Sequence, residues 1–89
     1  MSAQLWIDER GRRCPIPVIS LARAHARWLA EGTGSELRVG VLADDPAAEH
    51  DIPAWCRLKG VRFDGSVAPD DGGPGSGYLV RFAASRQPG

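Results

Sequence analysis

Lysine, cysteine and long apolar runs are all scarce in this sequence, and each scarcity removes a class of function. Lysine and arginine together number 11, yet Lys59 is the sole lysine, so a covalent mechanism on a lysine amine has one candidate. The two cysteines, Cys14 and Cys56, are too few for a secreted disulfide scaffold and form no C-x-x-C pair. Their scarcity points to a reducing compartment. No apolar run approaches the ~20 residues that span a bilayer, and Met1 to Asp8 lacks the charged, then apolar, then small pattern of a signal peptide. The expected location is the cytoplasm, with no membrane partner. Basic and acidic side chains balance at 11 each, which leaves no overall field to draw in nucleic acid or anionic lipid. Aromatics are also few, so no direct nucleic-acid binding is expected.

What is present fits one small domain. A chain of 89 residues has room for a single hydrophobic core, expected over residues 1–83, with Ala84 to Gly89 as a flexible polar tail. Leu5 and Ile7 alternate with polar neighbours and Trp6, the period of a half-buried strand that Gly11 ends. From Pro15 to Glu31 the period lengthens to that of a helix, with Ile19, Ala22, Ala26 and Leu29 as its core stripe and His25 and Trp28 flanking it. Gly32 and Gly34 stop this helix. Leu37, Val39 and Val41 form a second strand, running into Asp44-Asp45-Pro46. There an aspartate followed by proline starts a second helix, in which Pro53 forces a kink or a restart at Asp51. After Gly60, a third strand (Val61, Phe63, Val67) and a fourth (Tyr78, Val80, Phe82) flank a glycine-rich loop, Pro69 to Gly77, that reads as mobile.

This order predicts a two-layer α/β sandwich of βαβαββ topology, with a mixed four-stranded sheet and both helices on one face. The other face would carry Trp6, Arg38, Leu42, Arg62, Leu79 and Arg81. It is either a surface for partners or an ordinary mixed surface.

The segment Arg10-Gly-Arg-Arg-Cys-Pro-Ile-Pro is the most informative. It sets Cys14 just before a helix whose first turn holds Pro15 and Pro17. A thiol reacts as its thiolate, and a helix N-terminus and guanidinium groups favour that anion. Arg10, Arg12 and Arg13 are therefore expected to lower the Cys14 pKa below the ~8.5 of a free cysteine, with backbone donation from Ile16, Val18 or Ile19. Such a thiolate can take up a sulfur atom and present it as a persulfide. The plainer reading makes Cys14 a small apolar residue in a turn.

Other candidates have plainer readings too. Cys56 shares a helix face with Ile52 and Trp55 and reads as a buried thiol, with a resolving cysteine as the alternative. Cys14, His25, His50 and Cys56 match no zinc spacing, so no metal is expected. Capping accounts for Asp45 and for Asp51, while Asp44 has no account of its own. Gly72, Gly73, Gly75 and Gly77 lack the lysine and hydroxyl residues of a phosphate loop, and no cofactor is expected.

Cys14-Pro15-Ile16-Pro17, preceded by Ile7-Asp8-Glu9-Arg10-Gly11 and followed by Ala43-Asp44-Asp45-Pro46 and Asp51-Ile52-Pro53-Ala54-Trp55-Cys56, resembles the TusA (SirA-like) sulfurtransferase family from about Leu5 to Phe82. The resemblance implies a sulfur carrier holding a persulfide on Cys14. A cysteine desulfurase or other sulfur-donor protein would load it, and a downstream acceptor protein would unload it. Transfer RNA thiolation, molybdenum cofactor maturation and sulfur oxidation all remain as pathways. Arg12 stands where family members often have leucine, and Ile16 where some have glutamate, so this chain is more basic and more apolar around the thiol. The competing class is a non-catalytic regulatory or binding module that uses the open sheet face for RNA or protein.

Overall fold

The computed structural model describes residues 3–32 and 35–83. Their element order is β1 (Leu5–Asp8), α1 (Ile16–Glu31), β2 (Leu37–Ala43), α2 (Ala48–Lys59), β3 (Arg62–Val67) and β4 (Ser76–Phe82). Gly34 and the tail from Ala84 to Gly89 lie outside the described residues.

The sheet runs β1-β2-β4-β3. β1 and β2 are parallel, joined through α1, whereas β4 pairs antiparallel with both β2 and β3. Strand alternation sends Val39, Val41, Ala43, Tyr78, Val80 and Phe82 to one face, where they pack with residues of both helices. The expected mixed sheet with both helices on one face is thus what the chain forms. The largest fully buried side chains are Phe82, Leu21 and Ile52. None of the described helices is long and apolar enough to cross a membrane.

Helix α1 is rotated from its expected phase. Pro17, Leu21 and Trp28 are buried, whereas Ile19 and Leu29 from the expected stripe are exposed. The reason lies in the alanines. With small apolar residues on several faces, periodicity does not fix the phase, and the bulky Leu21 and Trp28 settle it by the area they remove from water. His25 belongs to this core as well. Its ring centroid lies 4.8 Å from that of Phe82, 5.5 Å from Trp55 and 6.0 Å from Trp28.

Helix α2 begins at Ala48, later than the expected start at Pro46. Asp45 prepares that start by accepting the Ala47 N–H at 2.9 Å. Pro53 lies inside the helix, which neither stops nor restarts at Asp51. The one bond a proline deletes there is the link to the Glu49 carbonyl, and packing of Ile52, Trp55 and Cys56 holds the rest.

The open face is less free than expected. Trp6 lies over Gly40 so closely that a Cβ at that glycine would run into the indole, and the ring reaches across to within 3.2 Å of a Cβ at Gly77. Leu79 is buried, and Arg81 is paired with Glu36 at 3.2 Å and Asp64 at 3.0 Å. The Pro69 to Gly77 loop is shorter than expected because β4 starts at Ser76. It is also tied to the β1 end of the molecule by an Arg10–Asp71 ion pair at 2.9 Å.

Candidate functional site

Cys14 sits half-buried in the turn between β1 and α1. Two aspartates at the end of β2 hold that turn by its backbone. Asp44 accepts the Gly11 N–H with both oxygens, at 2.9 and 3.0 Å. Asp45 accepts the Cys14 N–H at 3.1 Å. Gly11 has φ 84°, a left-handed conformation that glycine adopts without steric cost, and this turns its N–H toward Asp44. Asp44, left without a role by the sequence, therefore grips the same turn as its neighbour. Pro15 caps α1 and Pro17 is buried beneath it.

The expected arginine cluster does not form around the sulfur. Arg10 is spent on Asp8 at 2.8 Å and Asp71 at 2.9 Å, and these bonds raise its pKa further. Arg12 reaches back to Glu9 at 3.3 Å, and the Arg13 charge acts on Asp45, helping to lower its pKa. Of the three expected backbone donors, the Ile16 N–H is taken by the Arg13 carbonyl and the Ile19 N–H by the Pro15 carbonyl, each at 2.9 Å.

The thiol is shifted the opposite way from expectation. Burial pushes the Cys14 thiol up, and the charges of Asp51 and Asp45 push it the same way, as does its hydrogen bond to the Asp51 side chain. Desolvation disfavours the thiolate, and a neighbouring carboxylate disfavours it again. The resting group at neutral pH is therefore a protonated thiol beside a carboxylate. Asp51, which the sequence assigns more simply to capping than to acid–base chemistry, is the carboxylate whose charge acts most on the thiol. Its spacing of four from Trp55 and seven from Leu58 along α2 was the available signal, because it puts all three on one helix face.

That face completes a shallow apolar groove of about 280 Å³ lined by Pro15, Val18, Asp51, Ala54, Trp55 and Leu58. Leu58 is 78% exposed, which is high for a leucine beside a reactive group. On the other side of the turn an open polar hollow of about 420 Å³ is lined by Gly11, Arg12, Arg13, Asp44, Asp45 and Pro46. The thiol turn thus lies between an apolar and a charged surface, and neither encloses a small molecule.

Cys56 is distant in character. It is buried, and burial pushes its thiol up to about 11, which makes it inert in the folded chain. No group of three or more histidine, cysteine or acidic side chains gathers as a metal cluster among the described residues.

Comparison with known proteins places this architecture. The crystal structure of the SirA-like protein from Desulfitobacterium hafniense superposes with a TM-score of 0.62 at 26% sequence identity, covering 93% of this chain and 100% of that one. The family model described as sulfurtransferase TusA matches residues 6–73, a span that contains the thiol turn, both gripping aspartates and Asp51. The chain belongs to the TusA sulfurtransferase family.

Proposed function

We propose that this protein is a cytoplasmic sulfur carrier that takes sulfane sulfur onto Cys14 as a persulfide and hands it to an acceptor protein. The observation that carries the reading is the placement of Cys14. It is a half-buried thiol whose backbone is clamped by Asp45, next in sequence to Pro15, which lines the apolar groove with Asp51.

In the loading step the Cys14 sulfur attacks the outer sulfur of a donor's persulfide. A new S–S bond forms on Cys14, the donor's S–S bond breaks, and the donor leaves as a thiolate that recovers a proton. Unloading is the same exchange with the acceptor's thiolate as attacker and Cys14 as leaving group. Neither step needs an outside oxidant or reductant. Because the resting thiol is protonated, it must lose its proton as the donor engages, and the Asp51 carboxylate beside it is the acceptor at hand. Covering the groove with a partner's apolar surface would leave the sulfur and the carboxylate in a site with little water.

Intact-mass measurement after incubation with a cysteine desulfurase and cysteine tests the reading. The expected result is a gain of one sulfur, about 32 Da, that a reductant removes. The gain should persist in Cys56→Ser and vanish in Cys14→Ser. A gain retained by Cys14→Ser, or no gain from desulfurases and inorganic sulfane donors alike, would sink the carrier reading and favour a binding module.

A further inference from the structure

The two edges of the sheet are finished differently. At the β3 edge the register shifts between Phe63 and Gly65, and Arg62 and Asp64 pair at 3.2 Å. A bulge and charged side chains are standard ways to stop another strand from adding. The β1 edge has no bulge, and its one charged side chain, Asp8, stands at the end of the strand, paired with Arg10. Its register against β2 is continuous from Leu5 to Asp8, it contains no proline, and Leu5 is 41% exposed. Glu9 donates its N–H to the Leu42 carbonyl of β2, which with the register Ile7↔Val41 and Asp8↔Leu42 turns the N–H groups of Leu5 and Ile7 toward β2, so by strand alternation those of Trp6 and Asp8 face away from the sheet.

Beside that edge runs a groove of about 280 Å³ between β1 and α1, lined by Leu5, Ile7, Ser20, Arg23, Ala24 and Arg27. It continues along Leu5 and Arg27 into a second hollow of about 140 Å³ that ends at Leu37. Arg23 and Arg27 are exposed and make no ion pair among the described residues. Arg10, Arg12, Arg62 and Arg81, by contrast, are each paired with a carboxylate. Four residues of helix place Arg23 and Arg27 about 6 Å apart along the axis, while alternate residues of a strand are about 6.7 Å apart. Two carboxylates at alternate strand positions would match them.

We propose that the free edge of β1 and the Arg23–Arg27 side of α1 accept an extended acidic segment of a partner protein as a fifth strand. Main-chain bonds to Trp6 and Asp8 would hold the segment, as in other cases of strand addition. Its inward carboxylates would meet the two arginines, and its remaining inward side chains would cover Leu5. A second copy of this chain is a poor occupant, because it would bring like charges from its own Arg23 and Arg27 toward the same groove. The proposal does not depend on persulfide chemistry at Cys14.

The test uses the full chain, ¹⁵N-labelled, titrated with a seven-residue peptide of alternating glutamate and valine, and with its lysine-for-glutamate counterpart. The expected result is that the glutamate peptide shifts the Trp6 and Asp8 amides and slows their exchange with solvent, while the lysine peptide does neither. Combined Arg23→Glu and Arg27→Glu should weaken the glutamate peptide about tenfold or more and admit the lysine peptide. Circular dichroism checks that each variant folds. Equal binding of both peptides, shifts centred on β3, or no shift at millimolar peptide would each overturn the proposal. So would exchange protection of Trp6 and Asp8 that appears without peptide and grows with protein concentration, which would make the edge a self-association surface.

Discussion

The Asp45 carboxylate takes the Cys14 N–H at 3.1 Å through one oxygen and the Ala47 N–H at 2.9 Å through the other. One side chain therefore sets both the thiol turn and the entry to α2. These bonds, Ala47 first and Cys14 second, hold its carboxyl below the usual value of 3.8 against a smaller opposing effect of burial. A depressed folded-state pKa means that the contribution is complete above the unfolded value and is lost as pH falls through the folded one. Asp45→Ala should lower the melting temperature at pH 7 by a few degrees. The gap to wild type should close as pH falls through the lowered folded-state value, where wild type protonates too. Thermal melts across that range, followed by circular dichroism, check both parts; a gap that survives in acid would mean the carboxylate charge is not what holds the turn.

At the thiol itself, burial first and then two carboxylates, not guanidinium groups, set the direction of the pKa shift. With its pKa raised by burial, Asp51 and Asp45, Cys14 should be alkylated by iodoacetamide at neutral pH more slowly than free cysteine, with a rate that climbs above the ordinary thiol range. Asp51→Asn removes one negative charge and should speed alkylation several-fold. Arg12→Ala should change it little, because Arg12 is turned to Glu9. Cys56 should stay unlabelled until the chain is denatured. Alkylation faster than free cysteine that slows in Arg12→Ala or Arg13→Ala would restore the arginines to the role the sequence suggested.

What the sequence could and could not convey divides along chain separation. Alternation at Leu37-Val39-Val41 and Tyr78-Val80-Phe82 marks strands because each pattern is local, and the turn at Cys14-Pro15-Ile16-Pro17 is local as well. The fate of Arg10 is not. Its partner Asp71 is 61 positions away, and until the β3–β4 loop is placed against the end of β1 nothing marks that guanidinium as spent. Asp51 met the thiol only when α2 packed beside α1. Its sequence context, an aspartate two residues before a proline, reads equally well as a helix cap. The phase of α1 failed for a different reason: alanines on several faces make the apolar stripe ambiguous, and only the shape of the sheet decides which bulky residues turn inward.

The Trp6 indole occupies the space a side chain at position 40 would need. Gly40→Ala should therefore force the ring off its seat and destabilise the fold by about 1–3 kcal/mol, the usual cost of overpacking. Trp6→Ala in the same chain should remove the clash, so the double variant should be less destabilised than the two single changes summed. Denaturant unfolding of the four proteins measures the coupling. Strict additivity would mean that the indole moves aside freely and the open face is looser than its packing indicates.

His25 supplies the last prediction, because its position joins packing to pH. Desolvation among Trp28, Trp55 and Phe82 lowers its pKa from the usual 6.5, and the Lys59 charge lowers it further. A base with a depressed folded-state pKa binds fewer protons in the native chain than in the unfolded one between the two values. Its contribution to stability is complete above 6.5 and is lost as pH falls through the lower folded value. Stability should thus decline on mild acidification, well before the carboxylates protonate. His25→Phe keeps a ring against Phe82 and Trp55 and removes the titration, so its stability should be flatter with pH over that interval. Urea midpoints compared at pH values on either side of 6.5 test this directly. A decline of equal size in His25→Phe would assign the proton uptake to another group, and His25 would then be a packing residue without a titrating role.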